Sequence, residues 1–173
     1  MTTATARTLF AVTATPQAEP MPWPGYEPSR GEAALLDWGW AASRLEGARR
    51  YWLATRQAGG SPHVRAVWAV WVDGLVAFST GRETRKARNL AVEPRCSLAV
   101  EAGDDAVVAE GVAEEVTDRA GVERADAAYT AKYGSSMLVG DSAVFAVRPV
   151  VVIGISESDS SVRPTRWRLQ SAT

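Results

Sequence analysis

The chain of 173 residues holds one cysteine, Cys96, and one histidine, His63. A lone cysteine closes no internal disulfide, so a reducing, cytoplasmic setting is expected. Cys96 sits in an apolar-alternating segment and reads as a buried small hydrophobe rather than a nucleophile. One histidine and one distant cysteine fall short of a zinc-ligand set, so no metal is expected. No apolar run approaches the ~18 residues of a membrane span. The N-terminus lacks the charged start and apolar core of a signal peptide. Also missing are a Walker-type phosphate loop, a G-x-G-x-x-G turn after a strand and a nucleophile elbow. Their absence sets aside P-loop NTPases, Rossmann dinucleotide sites and α/β-type triad hydrolases. Net charge is −1, unlike the basic balance of a dedicated nucleic-acid binder, and no nucleic-acid partner is expected.

What is present organises into a tail and one domain. Residues 1–30 carry Pro16, Pro20, Pro22, Pro24 and Pro28, a density that no helix or central strand accommodates. This N-terminal extension is expected to lie extended over a surface, pinned by Trp23 and Tyr26. Residues 31–173 form the expected domain. Hydrophobic residues make up 46% of the chain, enough for a core. Seven tryptophans offer either buried area or stacking surface for a planar ligand.

Along the domain, Ser29 precedes an amphipathic pattern predicted as a helix over 32–45, ending near Gly47. Tyr51–Thr55, His63–Val72 and Leu75–Thr80 read as three consecutive antiparallel strands, the last two joined by the hairpin signal Asp73-Gly74. A short helix through Leu90 should stop before Pro94. Arg95–Glu101 and Ala106–Thr117 read as strands, and Thr117 or Asp118 caps a helix to about Tyr133. Ala143–Val147, Val150–Ile155 and the tail around Trp167 complete the strands. Hairpin connections without a βαβ rhythm predict a mainly β fold: a six- to seven-stranded antiparallel split β-barrel with two to three flanking helices.

Two features stand out chemically. Gly81–Asn89 is basic, with Arg82, Arg85, Lys86 and Arg88, and it runs from a strand ending in Ser79-Thr80 into a helix. A helix start offers free N–H groups to a phosphate, and arginine adds a bidentate fork. A solvated basic turn has the same composition, so charge alone leaves both readings open. Arg65 interrupts an apolar strand, and a charge there needs solvent or an anion. On alternation Arg65, Val67, Ala69 and Trp71 share a face. His63 fits a general acid or a plain strand residue at a barrel mouth.

The ordered set resembles a known family. Tyr51-Trp52-Leu53-Ala54-Thr55, Gly60-Ser61-Pro62-His63-Val64, Val67-Trp68, Trp71-Val72-Asp73-Gly74, Phe78-Ser79-Thr80-Gly81, Arg85-Lys86-Ala87-Arg88-Asn89-Leu90 and Glu110-Gly111-Val112 are similar to the flavin-binding split barrels related to pyridoxamine 5′-phosphate oxidase. Lys132-Tyr133-Gly134 and Thr165-Arg166-Trp167-Arg168 place the likeness nearest the actinobacterial branch that uses the deazaflavin coenzyme F420. The resemblance implies an oxidoreductase that passes hydride to an unsaturated small-molecule substrate. Ser79, Thr80, Arg85 and Lys86 would bind the cofactor phosphate, with Arg65 joining them. Arg65, Ala66, Val67 and Trp68 would lie along the ring and ribityl chain, and Trp167 near the ring. Arg88, with Arg82, offers more charge than one phosphate requires, which favours coenzyme F420 with its acidic tail over FMN. A homodimer with both cofactor sites at the subunit interface is implied too. Val70 stands where the oxidase has its substrate lysine and Ala106 where it has a flavin-contacting glutamine, so the vitamin-salvage reaction is not implied. No catalytic residue is assigned. The other reading is a non-catalytic FMN, coenzyme F420 or haem carrier, with His63 as a haem ligand.

Overall fold

The computed structural model describes residues 16–21, 33–159 and 161–169. In chain order these form β1 (Gln17–Pro20), β2 (Ala34–Leu35), α1 (Trp38–Gly47), β3 (Tyr51–Arg56), β4 (Pro62–Val67), β5 (Val70–Val72) and β6 (Leu75–Gly81). Then come α2 (Arg85–Val92), β7 (Arg95–Ala102), β8 (Asp105–Glu115), α3 (Arg119–Tyr133), β9 (Ser142–Ser156), β10 (Val162–Arg163) and β11 (Thr165–Arg168). The mainly β, antiparallel architecture with three helices agrees with the sequence pattern. No helix among the described residues is long and apolar enough to cross a membrane.

The main sheet runs β1-β11-β9-β8-β7-β3-β4, with β6 joined to β9 and β5 to β6. β9 organises it. One edge of β9 carries β8, while the other carries first β6 and then β11. Among the described residues β4 pairs with β3 alone, which leaves a seam between β4 and the β5–β6 hairpin. Tyr51, Leu53, Leu98, Val107, Phe78 and Phe145 point inward to one core cluster. The opposite faces of β6 and β9, through Leu75, Ala77, Val144 and Ala146, pack on Ala125 and Tyr129 of α3. Both faces of β6 are therefore buried, which explains its unbroken apolar run. The Asp73-Gly74 turn holds φ of 51° and 78°, as a two-residue hairpin turn of this hand requires.

Four expectations are corrected. The first helix begins at Trp38, where Asp37 accepts the Gly39 N–H at 2.7 Å, rather than at residue 32. Ala34–Leu35 pairs in parallel with Val162–Arg163 instead, and Ser29 lies outside the described residues. Residues 63–72 are not one strand. The ladder breaks at Trp68-Ala69, and the three strands are not consecutive neighbours, because β6 pairs with β9. Residues 142–156 form one strand across Pro149 rather than two. Pro149 is tolerated because it sits at a register shift, opposite Gly111, where the ladder skips a partner. Within the proline-rich segment, Gln17–Pro20 adds to the sheet as an edge strand on β11, while Trp23 and Tyr26 lie outside the described residues.

The break at Trp68-Ala69 is satisfied from α3. The Tyr133 hydroxyl accepts the Ala69 N–H at 3.2 Å and has the carbonyls of Ala69 and Arg49 each at 2.9 Å. Burial holds the Tyr133 phenol above its usual pKa, so it stays protonated and able to donate. Lys132 Nζ also reaches the Ala69 carbonyl, at 3.3 Å. Tyr133→Phe therefore strands the Ala69 N–H more than its carbonyl. The expected loss, read by urea denaturation, is about 1–2 kcal/mol, within the range for an unpaired backbone group. An unchanged midpoint would show that water takes over the bond.

Candidate functional site

The seam between β4 and β6 is where the cationic side chains gather. The β3–β4 ladder pairs Leu53 with Arg65 and Thr55 with His63. Leu53 and Thr55 are buried, so His63, Arg65 and Val67 share the inner face of β4. On the other side of the seam, α2 starts at Thr84, whose hydroxyl accepts the Ala87 N–H. Arg85 and Lys86 are the first two residues of the helix, where N–H groups have no intrahelical partner. Asn89 follows them at i+4 and i+3 and so shares their face. Its amide donates to Thr55 Oγ1 at 2.9 Å, fixing the start of α2 against β3 and β4.

Arg65, Arg85 and Lys86 thus converge, with His63 as a fourth member. Desolvation, then the charges of Arg65, Lys86 and Arg85, push the His63 imidazole below its ordinary pKa. Burial, then Arg65, does the same to the Lys86 ammonium. Among the described residues no carboxylate enters either balance. Uncompensated cations this close favour an anion between them.

The other sequence candidates are placed differently. Ser79 and Thr80 end β6 at the seam, but their hydroxyls are engaged. Ser79 Oγ donates to the Met137 carbonyl at 2.7 Å, and Thr80 Oγ1 lies 3.0 Å from Thr84 Oγ1. Arg88 pairs with Glu83 at 2.6 Å, and Arg82 with Glu115 at 2.7 Å, so both are partly neutralised. Ala66 and Trp68 belong to the outer face. Trp68 is 56% exposed and stacks on Tyr133 at 5.3 Å. Val67 packs into the core. The break after Val67 also removes the face shared with Ala69 and Trp71. Trp167 departs furthest from its expected place: it is fully buried, edge-on to Trp38 at 5.6 Å, and offers no surface to a ligand. Cys96 is buried as expected, and burial pushes its thiol up to about 12, which disfavours a thiolate at neutral pH.

Sequence reading left His63 out of the contact set and did not single out Thr55, Thr84 or Asn89. The alternation of His63 with Arg65 was the available signal. No group of three or more metal-type ligands occurs among the described residues. A cleft of about 530 Å³ runs along β3, β7 and β8, lined by Thr55, Arg56, Arg95, Cys96 and Glu110. It shares Thr55 with the cation cluster but not Arg65, Arg85 or Lys86.

Comparison with known proteins bears on the whole arrangement. The family described as pyridoxamine 5′-phosphate oxidase matches residues 41–156. No curated protein matches the chain. Among solved structures, one described as an F420 reductase is 24% identical, covering 64% of this chain and 93% of its own, with a TM-score of 0.54. A heme binding protein from Mycobacterium smegmatis is 20% identical over 73% of this chain and 57% of its own, with a TM-score of 0.61. The conserved hypothetical protein Rv2991 from Mycobacterium tuberculosis is 22% identical over 83% of this chain and 94% of its own, with a TM-score of 0.60. At these identities the likeness is one of fold.

Proposed function

Because the chain belongs to the pyridoxamine 5′-phosphate oxidase family, we propose that it is an oxidoreductase that binds coenzyme F420, with FMN as the alternative, and reduces an unsaturated small molecule. The observation that carries this reading is the set of cations formed by Arg65 of β4 with Arg85 and Lys86 at the start of α2, which no carboxylate among the described residues offsets. It fits a phosphate-bearing cofactor: arginine forks and a lysine point charge beside free helix N–H groups match a phosphate. The likeness to an F420 reductase favours the deazaflavin. The ion pairs of Arg82 and Arg88 weaken the charge argument for its acidic tail. Both pairs are exposed and exchange at little cost, so they do not remove it.

A cofactor held there would supply the hydride chemistry. The protein's own residues bind and orient. Arg65, Arg85 and Lys86 hold the phosphate end. The free edge of β4, running past Arg65, Ala66 and Val67, offers backbone groups to the ring. Ser79 and Thr80, tied to Met137 and Thr84, fix the end of β6 at the seam rather than donating outward. The reading carries a homodimer and a cytoplasmic setting. The exposed outer face of β3 and β4, with Trp52, Val64 and Trp68, is the surface a second copy would cover.

An absorbance or fluorescence titration of the purified protein with coenzyme F420 and with FMN tests the assignment. Saturable binding of one is expected, and no binding of either overturns it. The second reading, a carrier without turnover, draws on the likeness to a heme binding protein and on His63 standing among cations suited to propionates. A Soret band on haem addition that vanishes in His63→Ala would favour it.

A further inference from the structure

His63 is built into the cation cluster in a way that serves both of its charge states. Thr55 Oγ1 accepts from Asn89 and lies 3.4 Å from both the ring Nδ1 and the carbonyl oxygen of His63. With the imidazole neutral, the Thr55 hydroxyl donates to Nδ1 and the ring proton sits on Nε2. With it protonated, Nδ1–H donates to Thr55 Oγ1, whose second lone pair is free for it, and the hydroxyl turns to the His63 carbonyl. Nδ1 and the Thr55 hydroxyl keep each other as partners in either state, so proton uptake at Nδ1 breaks no hydrogen bond there.

We propose that His63 is a fourth, conditional contact of the anion site, taking up a proton when a phosphate-bearing ligand docks beside Arg65, Arg85 and Lys86. This deepens the function proposed above and rests on the same site. The groups facing His63 are Thr55 from β3, Arg65 from β4, and Arg85 and Lys86 from α2. Arg88 of α2 is held by Glu83, and no acid among the described residues acts on the imidazole. Without an anion these cations disfavour a further positive charge. A docked dianion offsets them and makes protonation favourable. By reciprocity the ligand then binds more tightly as pH falls. The effect is larger for a ligand with two negative charges at this point, such as the phosphate monoester of FMN, than for a phosphate that continues into an acidic tail.

The chain's single histidine makes the test direct. The imidazole C–H resonances of the untagged protein are followed by NMR from pH 5 to 8. The runs are without anion, with saturating sulfate, with saturating FMN, and with chloride at matched ionic strength. The free midpoint is expected below the usual value of about 6.5. Sulfate and FMN should raise it by about one unit, and chloride far less. Sulfate affinity should strengthen about fivefold between pH 7.5 and 5.5, and His63→Gln should flatten that dependence with the fold retained. A midpoint unmoved by sulfate, while the Arg85 and Lys86 amide resonances respond, overturns the His63 role and leaves the anion site standing. Equal shifts with chloride reduce it to screening and overturn it as well. No response at Arg85 or Lys86 to sulfate or FMN overturns both the site and the inference.

Discussion

Replacing Arg85 and Lys86 together with alanine is expected to weaken cofactor binding at least about a hundredfold, with the melting temperature almost unchanged. A hydrogen bond to a charged group contributes about 1.5–3 kcal/mol, so two of them exceed the 2.7 kcal/mol that a hundredfold represents. The fold should not notice. Arg85 is exposed, and Lys86 is only half-buried in a place where its own charge is disfavoured by burial and by Arg65. Losing that repulsion offsets the lost packing of the lysine stem. Lys86→Met keeps the stem and separates the two effects. Arg82→Ala and Arg88→Ala serve as contrasts, since both side chains already face carboxylates, and each should change affinity less than about threefold. Cofactor titration and thermal melting on the same samples decide it. Unchanged affinity in the double variant would reduce the loop to a surface turn.

Gly111→Ala is the second large effect, and it concerns stability. A Cβ at Gly111 would fall on the Arg148 carbonyl oxygen, with the carbonyl carbon at 2.8 Å and Pro149 Cα at 3.0 Å. These are backbone atoms of β9 at the register shift, so neither rotamer change nor side-chain swing relieves the clash. The sheet must separate there. The expected cost is about 3 kcal/mol, the upper part of the overpacking range. That corresponds to a fall of about 10 °C in melting temperature for a domain of this size. Gly103→Ala calibrates it: its φ of +64° is strained for alanine, but nothing lies within 4 Å. There the loss should stay near 1 kcal/mol, the cost of a left-handed residue. Equal melting temperatures for the two variants would show that β9 yields at Pro149.

The hairpins were legible because their signals are local. Asp73-Gly74 states its own turn, and Asp118 and the left-handed Gly134 bound α3 as the sequence suggests. The break in residues 63–72 was not legible. Val-Trp-Ala-Val-Trp-Val has no turn residue, and its interruption is made by Tyr133, distant in the sequence. Ala34–Leu35 looked helical because its apolar spacing suits a helix, but a pairing with residues 162–163 claims it. At the site, charge marked Arg65, Arg85 and Lys86. The neutral members Thr55 and Asn89 carry no charge signal and emerge only from the β3–β4 register and the pitch of α2. Trp167 shows the opposite failure: a tryptophan in a polar, alternating tail looks available, yet β1, β9 and α1 enclose it.

The position of β9 has a consequence for synthesis. This strand borders β6, β8 and β11, yet it is residue 142 before the ribosome begins to deliver it. Until then the nascent chain carries β6 with its partner edge bare and β8 with one side unpaired. The β3–β4 and β7–β8 hairpins can form early, because their pairings are short-range. Closure waits for residues 142–156, a high-contact-order step of the kind that folds slowly. The interval before it is when the apolar edges of β6 and β8 are open to a neighbouring chain or to a chaperone.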